Sequence, residues 1–140
     1  MSRKNILFIC QHNSARSQIA EGYLNARYGQ EYVGRSAGME PTGVNPYAIK
    51  VMSEIGIDIS HHRSKGISEF SSQEFDLAVT VCDQAREACP FFPGARSVEH
   101  QGFDDPSSSQ PPDAIDVFRR SRDEITQWID ERFGNTPSGD

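Results

Sequence analysis

The amino-acid sequence predicts an α/β fold in which an open, parallel sheet of about four strands carries helices on both faces. Apolar runs without polar alternation, which are typical of strands buried on both faces, recur along the chain. Segments with helical periodicity separate these runs, and the connections between them are short. Sheets of this kind have their binding sites at the carboxyl ends of the strands.

The first half of the chain is expected to contain two pairs of a strand and a helix. The first strand covers residues 6–10, and the following helix covers residues 14–28. The second strand covers residues 32–37. Asn45 and Pro46 are the residue types preferred at the N-cap and at the first position of a helix, so a second helix is predicted to begin there.

The second half of the chain is expected to add two more strands and two more helices. Residues 75–82 form the clearest strand after the first one, with Cys82 as the last residue. Asp83 is then expected to cap a short helix. Residues 95–100 form the fourth strand, and an amphipathic helix is predicted over residues 113–133.

Composition limits the class of protein. A chain of 140 residues has the size of one domain, which we expect over residues 1–133 with a flexible tail over residues 134–140. A formal net charge of −6 argues against nucleic acid and anionic membranes as partners. Three cysteines, an odd number, do not fit a secreted disulfide framework, and no apolar stretch suggests a signal peptide or a membrane span. We expect a soluble, cytoplasmic monomer.

Cys10 and Arg16, which are separated by five residues, lie where the first strand ends and the first helix begins. Backbone N–H groups at a helix start and a guanidinium can together surround a tetrahedral anion. The same positive field favours the thiolate of an accessible cysteine, which is the nucleophilic form. The alternative is a structural cysteine beside a surface arginine. We predict an oxyanion loop, residues 10–17, whose members after Cys10 are Gln11, His12, Asn13, Ser14, Ala15, Arg16 and Ser17.

Parallel strands bring further reactive residues to the edge of the sheet that carries the oxyanion loop. Cys82 is expected at the end of the third strand, so its sulfur and that of Cys10 share this edge. The loop after the fourth strand contains Asp105, which precedes Pro106 and could donate a proton as a general acid, if the carboxyl is held protonated. An ordinary Asp-Pro turn is the alternative, and Asp104 is a second candidate for the acid.

Cys82 and Cys89 flank the short third helix. Seven helical residues would separate their Cα atoms by about 10 Å, whereas a disulfide needs roughly 4.4 to 6.8 Å. A bond between them therefore requires the helix to unwind. A helix of about two turns with few large apolar residues should unwind at little cost. Two unrelated core cysteines would be expected between apolar residues, whereas the residues that follow Cys82 are polar. We therefore expect all three cysteines to take part in one series of thiol–disulfide exchanges.

The sequence predicts neither a metal site nor a bound cofactor. His61 and His62 resemble a pair of metal ligands, but no third ligand stands at a suitable spacing, and we expect solvated loop side chains. Asn13, Glu21 and Ser36 are polar residues near the first loop and the second strand. We expect them to organise the oxyanion loop rather than to react.

Together these motifs resemble the thioredoxin-coupled arsenate reductases, which share the low-molecular-weight tyrosine phosphatase fold. The resemblance covers about residues 5–133. It implies that Cys10 attacks arsenate, that Arg16 and the loop amides bind its oxygens, and that Asp105 protonates the departing hydroxyl. The motifs that carry it are Cys10-x5-Arg16-Ser17, Ser36-Ala37-Gly38, Gly43-Val44-Asn45-Pro46, Ile57-Asp58-Ile59-Ser60, residues 76–82, Cys89-Pro90 and Gly102-Phe103-Asp104-Asp105-Pro106.

The resemblance also implies a disulfide relay. Cys82 would attack Cys10 and release arsenite, Cys89 would take over Cys82, and thioredoxin would reduce the bond between Cys82 and Cys89. Phosphate and sulfate are expected to compete with arsenate as oxyanions. Ala15 stands where many family members have another cysteine, which removes a backup thiol but leaves this sequence of steps intact.

Some members of the family bind potassium through residues that match Asn13, Glu21 and Ser36 together with an aspartate. This chain has Lys65 at the position of the aspartate. A lysine would repel the cation and could place its ammonium in the same spot. We therefore expect that potassium has no effect on this protein.

Two other functions remain open at this point. A low-molecular-weight tyrosine phosphatase uses the same loop and acid to hydrolyse a phosphocysteine, but commonly has tyrosines after the Asp-Pro pair, where this chain has Ser107-Ser108-Ser109. Residual phosphatase activity is expected even in a reductase, because two oxyanions of similar shape and charge are hard to distinguish. A non-enzymatic sensor of oxyanions or redox state is the third possibility.

Overall fold

The structure, a computed structural model, describes residues 3–88 and 92–134. Cys89 and almost all of the expected C-terminal tail lie outside these ranges, so the predictions on them are not tested. The single-domain prediction likewise stays a prediction. The helices and strands are β1 (Lys4–Cys10), α1 (Arg16–Tyr28), β2 (Tyr32–Gly38), α2 (Pro46–Ser53), β3 (Phe75–Thr80), α3 (Asp83–Ala88), β4 (Ala95–His100) and α4 (Ala114–Phe133), with single 3-10 turns at Ile67–Phe70 and Pro106–Ser108.

The sheet contains four parallel strands in the order β2-β1-β3-β4, which confirms the predicted class of fold. Consecutive residues of β1, from Ile6 to Ile9, are all buried, so both faces of this strand are covered. The register aligns Ile9 with Thr80 and Thr80 with His100. The carboxyl ends of β1, β3 and β4 therefore meet at one edge of the sheet.

The helices follow the predicted pattern with small shifts at their ends. α1 begins at Arg16, two residues later than expected, because Ser14 and Ala15 belong to the oxyanion loop. The N-cap of α2 is confirmed, since the side chain of Asn45 accepts a hydrogen bond of 2.8 Å from the N–H of Tyr47. In α4 the buried stripe consists of Ala114, Phe118, Ser121, Ile125, Ile129 and Phe133. No helix in the described part of the chain is both long and apolar enough to cross a membrane.

The prediction that β3 extends to Cys82 is wrong, because the strand ends at Thr80. Val81 still donates a hydrogen bond of 2.8 Å to the carbonyl of Ile9, and the chain then turns into α3. The expected cap, Asp83, is instead the first residue of this helix. Cys82 has the capping contacts: its sulfur accepts from the N–H of Ala85 at 3.4 Å.

Candidate active site

The oxyanion loop runs between β1 and α1 with its carbonyl groups turned outward. The carbonyls of Cys10, Gln11 and His12 accept hydrogen bonds of 3.1, 2.7 and 3.2 Å from backbone N–H groups of the 39–42 segment. Because a trans peptide has its C=O and the following N–H on opposite sides, the N–H groups of residues 11–13 point away from that segment. Asn13 closes the turn with a φ of +50°. The loop thus presents backbone donors as an anion site requires.

Cys10 is the first residue of this loop and is buried at the end of β1. The residue is 2% exposed, so the expectation of an accessible cysteine is wrong, because the loop and its neighbours cover the end of β1. The Sγ atom is 2.8 Å from the Oγ atom of Ser17. The side-chain amide of Asn13 donates to that hydroxyl oxygen at 2.7 Å, so the hydroxyl of Ser17 connects the loop turn to the sulfur. These bonds fix the sulfur beside the first turn of α1.

Arg16 is buried at the start of α1 and is held by the loop after β4. Its Nη1 atom donates to the carbonyl oxygen of Phe103 at 3.0 Å. Its Nη2 atom is 3.7 Å from the Oδ2 atom of Asp105. The guanidinium therefore links the oxyanion loop to the loop with the candidate acid.

Asp105 lies at the expected edge of the sheet, and its carboxyl is hydrogen-bonded to Ser107. The Oδ1 atom accepts hydrogen bonds from the N–H and the hydroxyl of Ser107 at 2.9 and 2.6 Å. Partial burial raises the pKa of Asp105, but the bonds from Ser107 and the charges of Arg16 and His12 outweigh it, so the pKa lies below its usual value. The carboxyl is thus ionised in the ligand-free protein. Asp104, the other candidate, is exposed like Asp105, and both residues line one small cavity against α4.

Cys82 is a buried thiol whose electrostatic neighbours belong to the oxyanion loop. Burial raises the pKa of Cys82, and so does the nearby sulfur of Cys10. The N–H of Ala85, the charge of Arg16 and the N–H of Gln11 act in the opposite direction. Since Val81 donates to the carbonyl of Ile9, Cys82 and Cys10 each follow a residue of this bonded pair at the same edge of the sheet.

Gln18 and His62 are site residues that the sequence did not reveal. The side-chain amide of Gln18 donates to the carbonyl oxygen of Asn13 at 3.2 Å, to its Oδ1 atom at 2.9 Å and to the carbonyl of Arg63 at 3.0 Å. His62 lies 2.8 Å from the Oε1 atom of Gln18, and burial lowers the pKa of this histidine. The prediction of a solvated loop residue is thus wrong for His62 and holds for His61, which is exposed.

Of the three polar residues near the loop, Asn13 forms a hydrogen bond within it, whereas Glu21 and Ser36 bond to each other beside it. Asn13 accepts a hydrogen bond of 2.8 Å from the N–H of Lys65, and the hydroxyl of Ser36 donates to the carboxylate of Glu21. The ammonium of Lys65 is 3.6 Å from that carboxylate, and both side chains are largely buried. It donates to the carbonyl of Arg63 as well, at 3.0 Å. Within the described ranges, no three His, Cys, Asp or Glu residues are grouped so that they could hold a metal ion.

A buried thiol thus lies at the carboxyl edge of a parallel sheet, at the start of a loop whose N–H groups at residues 11–13 face away from the 39–42 segment. The chain belongs to the low molecular weight phosphotyrosine protein phosphatase family, whose sequence model matches residues 5–132.

Several relatives are named arsenate reductases. The arsenate reductase of Halalkalibacterium halodurans is 47% identical over 131 residues, which is 92% of this chain and 94% of the relative. Arsenate reductase 2 of Staphylococcus saprophyticus is 45% identical over 96% of this chain and its own full length. A solved arsenate reductase in the phosphate-binding state superposes with a TM-score of 0.80 at 30% identity, over 91% of this chain and 95% of that one. A tyrosine phosphatase from T. tengcongensis, at 24% identity over 95% and 99% of the two chains and a TM-score of 0.76, shares the fold.

Proposed function

We propose that this protein reduces arsenate to arsenite through a relay of Cys10, Cys82 and Cys89, with thioredoxin as the external reductant. The observation that carries the proposal is a second buried thiol at the same sheet edge: Cys82 follows Val81, which donates to the carbonyl of Ile9, the residue before Cys10. Hydrolysis of a phosphoester would need one nucleophilic cysteine, whereas reduction of arsenate needs two electrons and so two thiols. The names of the relatives point to the same substrate.

The first step forms a bond between sulfur and arsenic. The loop N–H groups and Arg16 bind the arsenate oxygens, and the thiolate of Cys10 attacks arsenic while one hydroxyl leaves as water. The leaving hydroxyl takes its proton from Asp105. Because this carboxyl is ionised without ligand, the proton arrives with the substrate, and the charge of the bound oxyanion favours its transfer to Asp105.

The second step transfers the electrons. The thiolate of Cys82 attacks the sulfur of Cys10, a disulfide forms, and the bond between sulfur and arsenic breaks with its electron pair left on arsenic. Arsenic is thereby reduced from the +5 to the +3 state, and arsenite leaves. Burial raises the pKa of Cys82, so its thiol must first lose a proton; the N–H of Ala85 and the positive charge of Arg16 offset this only in part.

The third step returns Cys10 to its thiolate form. The thiolate of Cys89 attacks Cys82, so the disulfide moves to Cys82 and Cys89, and a dithiol of thioredoxin reduces it. Cys82 caps α3 through its sulfur, so this exchange must break the first turn of the helix. Since thiols supply every electron, we infer that the enzyme works without a bound cofactor. We also infer that it acts as a monomer in the cytoplasm, where thiols stay reduced.

Low phosphatase activity is the second candidate, because the oxyanion loop suits phosphate as well as arsenate. The cleft beside the loop includes His12, Thr42, Val44 and Ser107. None of its described lining residues is Phe, Tyr or Trp. An aryl phosphate would therefore find little to stack on, which supports arsenate as the main substrate.

Steady turnover with thioredoxin, thioredoxin reductase and NADPH tests the proposal. Arsenate-dependent consumption of NADPH should be lost in Cys82→Ser and in Cys89→Ser. Hydrolysis of a small aryl phosphate, measured in the same preparations, should persist in both variants and serves as the control for folding and for the oxyanion loop. Arsenate reduction at the parent rate in both variants would exclude the relay.

A further inference from the structure

The side chain of His100 connects the two ends of the turn that contains Cys82. His100 is the last residue of β4, and its Nδ1 atom is 2.9 Å from the Oγ1 atom of Thr80 at the end of β3. Its Nε2 atom is 3.1 Å from the Oδ1 atom of Asp83, the first residue of α3. Thr80 stands two residues before Cys82 and Asp83 one residue after it. One imidazole ring therefore holds the chain on both sides of this cysteine.

The chemistry of the groups fixes the bonding of the ring. A carboxylate only accepts hydrogen bonds, so the Nε2 atom of His100 carries a hydrogen and donates it to Asp83. In the neutral ring Nδ1 accepts from the hydroxyl of Thr80, and in the charged ring it donates to the same oxygen. Arg86 also approaches the carboxylate of Asp83, at 3.9 Å, from the next turn of α3.

The loop after β4 is built to pass close to this ring. The N–H groups of Gln101 and Phe103 donate to the carbonyls of Thr80 and Val81, at 2.9 and 3.1 Å. A Cβ atom on Gly102 would come within 3.1 Å of the Nε2 atom of His100. The ring is thus enclosed, and its side chain is 22% exposed, whereas that of Asp83 is 71% exposed.

From these contacts we propose that His100 is a positioning residue that clamps the 80–83 turn and thereby fixes the thiol of Cys82 beside Cys10. The ring does not belong to the oxyanion loop and acts through Thr80 and Asp83. When the clamp is removed, the first turn of α3 opens more often, and Cys82 spends less time in line with Cys10. The consequence for turnover rests on the proposed function, whereas the consequence for the turn itself does not.

Two measurements without arsenate test the clamp in the full chain. The first is the alkylation rate of Cys82 by iodoacetamide, resolved from the other cysteines by mass spectrometry. The second is amide hydrogen exchange at Ala85 and Arg86, whose N–H groups donate to the sulfur and the carbonyl of Cys82. Both rates should rise about three- to ten-fold in His100→Ala and in Asp83→Ala, as expected for the loss of one hydrogen bond.

A double variant and two controls make the result specific. His100→Ala combined with Asp83→Ala should open the turn by less than the sum of the two single changes, because both remove the contact between His100 and Asp83. Each change also removes one contact of its own, to Thr80 or to Arg86. His61→Ala, at an exposed histidine, should leave both rates unchanged, and His100→Gln, which keeps a donor, should recover part of the protection. If His100→Ala does not fold, Asp83→Ala at its exposed position carries the same test. Rates within two-fold of the parent, or additive effects, would overturn the proposal.

Turnover then separates this proposal from the proposed function. In the thioredoxin assay, His100→Ala should lower kcat about three- to ten-fold with KM for arsenate within two-fold, since His100 makes no contact with the oxyanion loop in the described contacts. A parent protein that reduces no arsenate, while its Cys82 is protected by the clamp, would refute the proposed function alone. A changed KM with an unchanged kcat would refute the positioning role alone.

Discussion

Gly38 sits where β2 passes beneath the oxyanion loop, paired in register with Cys10. A Cβ atom at this position would lie 2.7 Å from the backbone nitrogen of Asn13 and 2.8 Å from the carbonyl carbon of His12. Both are backbone atoms of the loop, so no flexible side chain can move aside. Gly38→Ala must therefore shift the loop away from β2.

The cost follows from this overlap. Overpacking costs about 1–3 kcal/mol, and a clash with backbone belongs to the upper part of that range. A loss of about 2–3 kcal/mol would lower the Tm by roughly 6–12 °C in a chain of this size. Displaced N–H groups no longer converge on the anion, so we also expect kcat/KM for arsenate to fall about ten- to a hundred-fold.

Gly66→Ala is the matched control, because Gly66 bridges Gly38 in the same region and a Cβ atom there has its nearest neighbour at 3.7 Å. Thermal unfolding followed by circular dichroism, and inhibition by phosphate as a measure of anion binding, compare the two variants with the parent. The Gly66 variant should match the parent in both. Equal Tm and equal phosphate inhibition for Gly38→Ala would refute the packing argument.

Two further predictions concern charge. Ser107→Ala removes one of the hydrogen bonds that keep the pKa of Asp105 low. A carboxyl whose pKa is lowered by folding stabilises the fold at a pH above its unfolded-state pKa, and this stabilisation is lost as the pH falls through its folded-state pKa. The variant should therefore be less stable than the parent at pH 7, by less than about 1 kcal/mol for so exposed a group, and equally stable in acid below the folded-state pKa. Urea unfolding at both pH values checks this, and a difference that persists in acid would contradict it. Because the ammonium of Lys65 already lies beside Glu21, replacing sodium chloride with potassium chloride should change neither the Tm nor the KM for arsenate, and an increase in Tm or in arsenate affinity would show that potassium binds.

Local sequence signals predicted the helix start and the buried strand well, because interactions between residues close in sequence determine both. Asn45 and Pro46 cap and start α2 as expected, and the uninterrupted apolar run of β1 correctly indicated a strand covered on both faces. The end of β3 was missed because burial continues through Val81 and Cys82 after strand pairing stops. An apolar run in the sequence predicts burial, but where strand pairing ends depends on the neighbouring strand.

The parts of the site that depend on distant residues could not be predicted in the same way. Gln18 and His62 are 44 residues apart, and their hydrogen bond exists only once the chain has folded. The lowered pKa of Asp105 depends mainly on Ser107, a neighbour in the same turn, and partly on Arg16, which lies far away in sequence. The sulfur of Cys82 as a helix cap is also unusual, since oxygen-bearing side chains are the preferred caps.

A thiol count after a single turnover tests the relay most directly. The reduced protein is mixed with one equivalent of arsenate without thioredoxin, quenched with an alkylating reagent and mapped by mass spectrometry. Reduction of one arsenate consumes two thiols, so we predict that two of the three cysteines become resistant to alkylation, that these are Cys82 and Cys89, and that Cys10 is recovered as a free thiol. No loss of thiols, or a final disulfide that still contains Cys10, would contradict the relay.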